Sequence, residues 1–235
     1  HQGEAKCDTC SMQTEIKFSP SFAVATITLS ASEQIKAEAG AMVSMQGVDI
    51  ETSTQGGIMK GLKRSVLGGE SFFMNTFTAG HQGGQVSFAP ELPGDIVAWE
   101  LTGQTVYLQS GAYLASAMSV DVDSGWGGAK TFFSSEGLFI LKCSGHGQLV
   151  VSAYGAIEGR QLAAGESFTI DSGHVVGWSD GITYKVRKVG NWKSTFLSGE
   201  GLVADLTGPG TVYMQTRSPE ALVSWLIPKL PKSSN

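Results

Sequence analysis

The sequence is poor in charge and has no long hydrophobic run. Charged residues make up 16% of the 235 residues against 41% hydrophobic, which excludes a disordered chain because enough apolar surface is present to build a core. The net charge of -5 argues against nucleic-acid binding, which needs a face rich in Lys and Arg. No stretch approaches the roughly 20 apolar residues of a membrane helix. We therefore predict a soluble protein.

Cysteine is scarce as well. The three cysteines, Cys7, Cys10 and Cys143, are too few and too unevenly placed for a disulfide framework, which favours a reducing, cytoplasmic compartment. Cys7 and Cys10 have the spacing of half a zinc site, but the sequence contains no second pair. We interpret residues 1–11 as a tail or an expression remnant, and an intermolecular metal or redox site is the alternative.

Recognisable catalytic motifs are also missing. The sequence contains no GxSxG nucleophile elbow and only four histidines that could serve as bases. No P-loop or dinucleotide-binding fingerprint opens a helix after a strand. We therefore predict a protein that is not an enzyme, without catalytic residues, cofactor or resident metal.

Glycine, by contrast, is abundant, with 31 residues, and its placement indicates three internal repeats. A first anchor, in which a small-residue turn precedes apolar residues, occurs as AEAGAM, LQSGAY and IDSGHV around Gly40, Gly111 and Gly173. A second anchor places one carboxylate before an apolar strand, at Glu70, Glu136 and Glu200. Both anchors recur about every 64 residues, which predicts one β domain over 12–231 with repeats at about 20–90, 91–155 and 156–217.

The repeats carry strand patterns. In FAVATITL, Val24, Thr26 and Thr28 occupy the outward positions and alternate with apolar residues, which indicates a sheet with one solvated face. After each second anchor, two apolar runs flank a glycine-containing turn, which predicts three β-hairpins. Their sequences are FFMNTFTAGHQGGQVSFA, LFILKCSGHGQLVVSAY and LVADLTGPGTVYMQT.

One helix is predicted at 218–228. Ser218 is a suitable N-cap, Pro219 suits the first helical position and Pro228 ends the segment. Ala221, Leu222, Trp225 and Leu226 fall on one stripe, so we expect the helix to pack on the last sheet with Trp225 in the core. A second short helical piece is indicated at Ile58 to Val66.

These motifs carry a resemblance to a known family. AEAGAMVSM, GGESFFMNTFTA, FAPELPGDI, LQSGAYLAS, DSGHVVGW and SGEGLVADLTGPGTVYMQTRSPEALVSWL resemble the bacterial and archaeal family related to the yeast altered-inheritance-of-mitochondria protein, from about Met12 to Pro231. The resemblance implies an all-β fold similar to the tryptophan RNA-binding attenuation protein, of the double-stranded β-helix type. It implies no activity for bacterial members, whereas the association of mitochondrial relatives with inner-membrane organisation and respiratory-complex assembly suggests scaffolding. RNA binding does not transfer with the fold.

A cation site is one candidate. If the repeats are related by threefold symmetry, Glu70, Glu136 and Glu200 would point at one axis, where a cation would offset their repulsion. His81 and His146 occupy matched turns and could add ligands. The alternatives are that each carboxylate accepts hydrogen bonds in its own turn and that both histidines are solvated.

The connection GGIMKGLKRSVLGGE is the other candidate. Its cations Lys60, Lys63 and Arg64 lie among apolar residues and could bind an anion, a protein partner or, less well, a membrane surface. The alternative is an amphipathic cover over a sheet end. Trp126 and Trp192 lie in the corresponding connections, which indicates a shared surface.

These observations favour a binding or scaffold protein without catalytic activity that acts through protein contacts, with an unknown protein partner or as a homo-oligomer. The alternative is a small-molecule or metal-ion sensor that uses a crevice between the repeats. A metal-dependent enzyme is a third class, which would require bound metal after purification.

Overall fold

The computed structural model describes residues 12–53, 73–124, 139–188 and 202–231. In these ranges the chain forms seventeen β-strands and one α-helix, which confirms the predicted all-β class with a short C-terminal helix. The strands are β1 (Gln13–Lys17), β2 (Val24–Leu29), β3 (Gln34–Glu38), β4 (Met42–Gln46), β5 (Val48–Ser53), β6 (Met74–Ala79), β7 (Gly84–Phe88), β8 (Ile96–Gln109), β9 (Tyr113–Ala117), β10 (Val120–Asp123), β11 (Ile140–Ser152), β12 (Ile157–Leu162), β13 (Ser167–Asp171), β14 (Val175–Ser179), β15 (Thr183–Lys188), β16 (Leu202–Thr207) and β17 (Gly210–Gln215).

One order of strand pairing recurs in three segments of the chain, which we call unit 1 (β2–β7), unit 2 (β8–β11) and unit 3 (β12–β17). In unit 1, β7 lies between β2 and β4, and β6 lies between β3 and β5. In unit 3, β17 lies between β12 and β14, and β16 between β13 and β15. Unit 2 has the same order in longer strands, because β11 pairs with β8 along both halves and also with β9 and β10. A common ancestral unit and a symmetry axis stay predictions.

The three predicted β-hairpins are wrong. The strands β6 and β7 follow one another through the turn Gly80–Gly83, yet they belong to different sheets and share no strand-pairing register. In unit 2 the corresponding segment is the single strand β11, which bends at Gly145 and Gly147, both with φ near +122°. Such backbone angles suit glycine. The glycine turn therefore joins strands of different sheets in units 1 and 3, and in unit 2 the glycines lie within one continuous strand, so none of the segments forms a hairpin.

The apolar residues that alternate along the strands form the core. In β2, Ala25, Ile27 and Leu29 are buried while Thr28 is exposed, which confirms the predicted alternation. Leu101 and Leu162, which correspond to Leu29 in the other units, are buried too. An aromatic contact connects units 2 and 3, since the ring centroids of Tyr107 in β8 and Trp178 in β14 lie 5.9 Å apart. Within unit 3, Trp178 also packs on Tyr184 at 4.9 Å.

The helix α1 (Pro219–Leu226) begins as predicted, because the Ser218 hydroxyl accepts a hydrogen bond from the Ala221 N–H at 3.3 Å. Its predicted packing is wrong: the helix has no buried residue, and Trp225 is 58% exposed beneath the Lys229 ammonium group. Five of the eight residues in PEALVSWL are Ala, Leu, Val or Trp, so apolar side chains occur on more than one side and do not select a buried face.

No helix in the described ranges has the length and hydrophobicity to cross a bilayer.

Candidate functional site

Most residues of the two predicted sites lie outside the described residues. This holds for Lys60, Lys63 and Arg64 of the cationic connection, for Glu70, Glu136 and Glu200 of the cation site, and for Trp126, Trp192 and the helical piece at Ile58 to Val66. The loop and the cation site therefore stay predictions.

The two histidines of the predicted cation site are described. His81 is exposed in the turn between β6 and β7, and His146 is exposed at the bend of β11. The carbonyl oxygen of His146 accepts a hydrogen bond from the Ser119 hydroxyl. Within the described ranges, no three His, Cys, Asp or Glu side chains come together in an arrangement that could hold a metal ion.

A cavity of about 250 Å³ lies where the first-anchor turns of the three units meet. We call it the anchor pocket. Its lining residues are Glu38, Pro90, Glu91, Leu92, Gln109, Gly111, Ser152, Ala153, Tyr154, Ser172, Gly173, Val175, Gln215, Pro219 and Glu220. The lining thus combines the ends of β3, β8 and β13 with the segments that follow β7, β11 and β17, so residues of all three units form it.

In units 2 and 3 the anchor turns are closed by side chains. Gln109 Oε1 accepts a hydrogen bond from the Gly111 N–H at 3.0 Å, and Asp171 Oδ1 accepts one from the Gly173 N–H at 2.9 Å. Each bond closes a short 3-10 turn, over Ser110–Ala112 and Ser172–His174. The side-chain oxygen of the residue two positions before the glycine is therefore occupied by the chain's own backbone.

Unit 1 differs at the same position. Glu38 lies two residues before Gly40, but Gly40 has φ +95° and the turn is closed by a bond from the Ala41 N–H to the Glu38 carbonyl. Its carboxylate makes no side-chain hydrogen bond or ion pair with the part of the chain that the structure describes. Burial, and secondarily the nearby Glu91 carboxylate, raise the pKa of Glu38 to about 7.

The opposite wall of the pocket is fixed by Gln215. Its Nε2 donates to the Gly173 carbonyl at 2.9 Å, and its Oε1 accepts from the Tyr154 N–H at 2.9 Å. The His174 Nδ1 donates to the Gln215 carbonyl at 2.7 Å. Gln215 is 5% exposed, so its bonds connect units 2 and 3 in a low-dielectric setting where they hold their geometry well.

The first turn of α1 adds a third carboxylate. The Ser218 hydroxyl donates to Glu220 Oε2 at 2.6 Å, which holds this side chain at the pocket. A Cβ atom at Gly173 would overlap both Glu220 Oε2 and the Ser218 hydroxyl. A larger residue at position 173 would therefore displace the Glu220 carboxylate and the Ser218 hydroxyl from these positions.

The pocket has one sign of charge. Glu38, Glu91 and Glu220 line it, and among the described residues its lining includes no Lys, Arg or His. Its volume is below the range of roughly 300–1,000 Å³ of drug-sized ligand sites. Such a site is suited to holding a small group of positive charge.

Sequence reasoning missed this site, although a signal was present. The three first anchors read EAG, QSG and DSG, so an oxygen-bearing side chain precedes each glycine by two positions. We singled out the glycines and gave these side chains no role.

A second buried polar group lies at the junction of units 1 and 2. Lys36 is 6% exposed, and its ammonium group donates to the Val120 carbonyl. Burial lowers the pKa of Lys36, while the nearby Asp121 carboxylate opposes that effect. Burial raises the pKa of the Cys143 thiol to about 12. A fully buried thiol in its protonated form is unreactive, which is the behaviour of a structural cysteine.

Comparisons with known proteins agree with the fold. A family model described as Mitochondrial biogenesis AIM24 matches residues 14–217. An uncharacterized protein of Streptococcus pyogenes serotype M6, M6_Spy0233, is 30% identical over 99% of this chain and 96% of its own length. The X-ray crystal structure of protein SPYM3_0169 from Streptococcus pyogenes superposes with a TM-score of 0.79 at 28% identity, covering 93% of this chain and 100% of that chain.

Proposed function

The chain belongs to the Mitochondrial biogenesis AIM24 family, and we propose that it is a binding protein without catalytic activity whose anchor pocket receives a small organic cation, such as an amine or a guanidinium group. One observation carries the proposal. In the part of the chain that the structure describes, the pocket is lined by three carboxylates and no basic side chain, so a cationic group would supply their counter-charge.

Glu38 is the proposed principal ligand. Its side chain has a raised pKa because burial and Glu91 disfavour its charged form. A bound cation would reverse that effect, since an opposite charge within about 4–6 Å favours the carboxylate. Binding should therefore release a proton near neutral pH, and affinity should increase as the pH rises through about 7.

The remaining walls of the pocket are held in place by hydrogen bonds. Gln215 and Gln109 hold their neighbouring backbone groups by hydrogen bonds, so the pocket is formed before a ligand enters. A preformed site lowers the ordering cost of binding. Its small volume favours a ligand of few atoms, or the end of a longer one.

Thermal-shift measurements test the proposal. Ethanolamine and methylguanidine should raise the melting temperature, more at pH 8 than at pH 6, because only the folded state binds them. Acetate should have no effect. Glu38→Gln should abolish the shift, while Glu158→Gln, at an exposed position on β12, should retain it.

Two results would contradict this function. An equal shift in Glu38→Gln and wild type would place binding elsewhere. Stabilisation by Mg²⁺ or Ca²⁺ but by neither organic cation would replace the proposal with a metal-ion site.

Protein contact is a second candidate function, favoured by the exposed apolar end of the chain. Val223, Trp225, Leu226, Ile227 and Leu230 are between 41% and 61% exposed. Exposed apolar clusters of this kind often mark interaction surfaces. Quantitative affinity capture from the native host with wild type and Trp225→Glu tests it: a partner retained equally by both would remove this surface from consideration.

A further inference from the structure

The units are joined by two strand pairs of the same kind. At the junction of units 1 and 2, β3 pairs with β9. At the junction of units 2 and 3, the second half of β8 pairs with β14. We number the six strands of units 1 and 3 in chain order as positions 1 to 6; in unit 2, β8 covers positions 1 and 2, and β9 is position 3. In each case the strand at position 2 of one unit pairs antiparallel with the strand at position 3 of the next unit.

The two junctions also share one register. Ala37 faces Ala115 and Lys36 faces Ser116 at the first junction. Leu108 faces Gly177 and Tyr107 faces Trp178 at the second. Counted from the anchor glycines Gly40, Gly111 and Gly173, the paired residues have the same offsets at both junctions. The two junctions therefore repeat the pairing register as well as the strand pair.

The same rule identifies two strands that lack this partner. The third strand position of unit 1 is β4, which pairs only with β7 among the described strands. The second strand position of unit 3 is β13, which within the same ranges pairs only with β16. The strands lie in separate sheets and do not pair with each other.

Burial shows what the missing partner does. In β9 and β14, four of the five residues are buried. All five residues of β4 are exposed, including Met42 at 39%, Val43 at 58% and Met45 at 42%. Proteins usually protect an open edge with Lys, Pro or a bend. The sequence MVSMQ contains no charged residue and no proline. Its register shift between Met42 and Ser44 has an equivalent in both covered strands, β9 and β14, so β4 resembles a strand that is covered.

We propose that β4 of one copy of this protein pairs with β13 of a second copy, which forms a homodimer. The register at the two internal junctions then places Ser44 opposite Ile170, Met45 opposite Thr169 and Gln46 opposite Phe168. A second, identical contact follows when β13 of the first copy pairs with β4 of the second, and two such contacts related by a twofold axis close the dimer.

The chemistry of the two edges is compatible with this pairing. Asp171 is the one charged residue of β13, and its carboxylate already accepts the Gly173 N–H. The uncharged β4 brings no like charge against it. The backbone groups of both edges would gain the hydrogen bonds that the equivalent strands β9 and β14 already make. Met45 would then face a residue of the neighbouring strand, as the equivalent residues Ser116 and Trp178 do.

Two measurements test the proposal. In light scattering coupled to size exclusion, wild type should have twice the chain mass of 24.7 kDa. Met45→Lys should have the mass of one chain with an unchanged circular dichroism spectrum, because a charge on an edge strand opposes strand addition. Gln85→Lys, at an exposed position on the internal strand β7, is the matched control and should remain dimeric.

Cross-linking gives an independent readout that does not depend on the folding of Met45→Lys. With Cys7 and Cys10 changed to Ser, the double variant Met45→Cys and Thr169→Cys should form a disulfide between two chains on oxidation. A wild-type protein that stays monomeric at its highest soluble concentration, a dimer that Met45→Lys leaves intact, or a disulfide that forms only within one chain would each overturn the proposal.

Discussion

Unit 1 and the other two units have the same order of strand pairing but differ at two places. At the anchor turn, Gln109 and Asp171 each accept a backbone N–H, whereas the Glu38 carboxylate lines the anchor pocket and has no hydrogen-bond partner among the described residues. At the third strand position, β9 and β14 are buried whereas β4 is exposed. The common framework thus leaves the Glu38 carboxylate and the β4 edge available for binding, whereas the equivalent groups of unit 2 are covered.

The difference at the anchor turn has a local cause. In units 2 and 3 the 3-10 turn directs the glycine N–H toward the side chain two residues earlier. In unit 1, Gly40 adopts φ +95° and the turn is closed by backbone atoms alone. The Glu38 side chain is therefore not needed to hold its own turn.

The largest effect on stability is expected at Gly177 in β14, which pairs with β8, compared with the equivalent position on the open edge of β4. A Cβ atom at Gly177 would overlap the Tyr107 carbonyl and lie 2.8 Å from Leu108 Cδ2, so Gly177→Val should lower the free energy of unfolding by about 3 kcal/mol or more. The equivalent residue in β4 is Ser44, which is exposed within one chain. In the Met45→Lys background, where no second copy is expected to cover β4, Ser44→Val should change stability by less than about 0.5 kcal/mol. Urea unfolding monitors both. Equal losses would mean that the positions are not equivalent in the way described.

A smaller effect is expected at Glu38. Because its folded-state pKa is raised above the ordinary value of 4.5 to about 7, the folded protein binds the proton more tightly than the unfolded chain. Stability therefore falls as the pH rises from about 4.5 through about 7. Glu38→Gln removes this penalty and should stabilise the protein by about 2 kcal/mol at pH 8 and little at pH 5.

The control for that prediction is Glu158→Gln on β12, where the side chain is exposed. Denaturation curves at the two pH values should be indistinguishable from wild type for this variant. Glu38→Gln that is less stable than wild type at pH 8 would show that the carboxylate has a favourable partner.

The smallest effect concerns the turn-closing bonds. Gln109→Ala removes the acceptor of the Gly111 N–H and should cost about 1 kcal/mol. Glu38→Ala, measured at pH 5 where the folded protein holds Glu38 largely protonated, removes no such bond and should cost less. Thermal unfolding of the two variants side by side checks the order, and a reversed order would contradict the contrast between the anchor turns.

The fold was predictable where residue pattern alone decides the structure. Alternation in β2 and the capping residue Ser218 predicted a strand and a helix start that the structure has. The hairpins were not predictable, because a glycine turn between two apolar runs is compatible with a reversal and with a bend between sheets. Gly145 and Gly147 bend β11, and only the positions of its neighbours β8 and β9 decide that outcome.

The candidate site was less accessible to sequence reasoning. Glu38, Glu91 and Glu220 are far apart in the chain and meet only through the topology. The packing of Trp225 was predicted wrongly because an apolar stripe shows which residues could be buried but not whether a surface is available to cover them.

The account depends most on the state of Glu38, and its side-chain carboxyl can be titrated directly by carbon-detected NMR in the protein without added ligand. We predict a pKa of about 7, decreasing when ethanolamine is added. An ordinary value near 4.5, unchanged by ethanolamine, would mean that Glu38 is solvated and would contradict the proposed role of the anchor pocket.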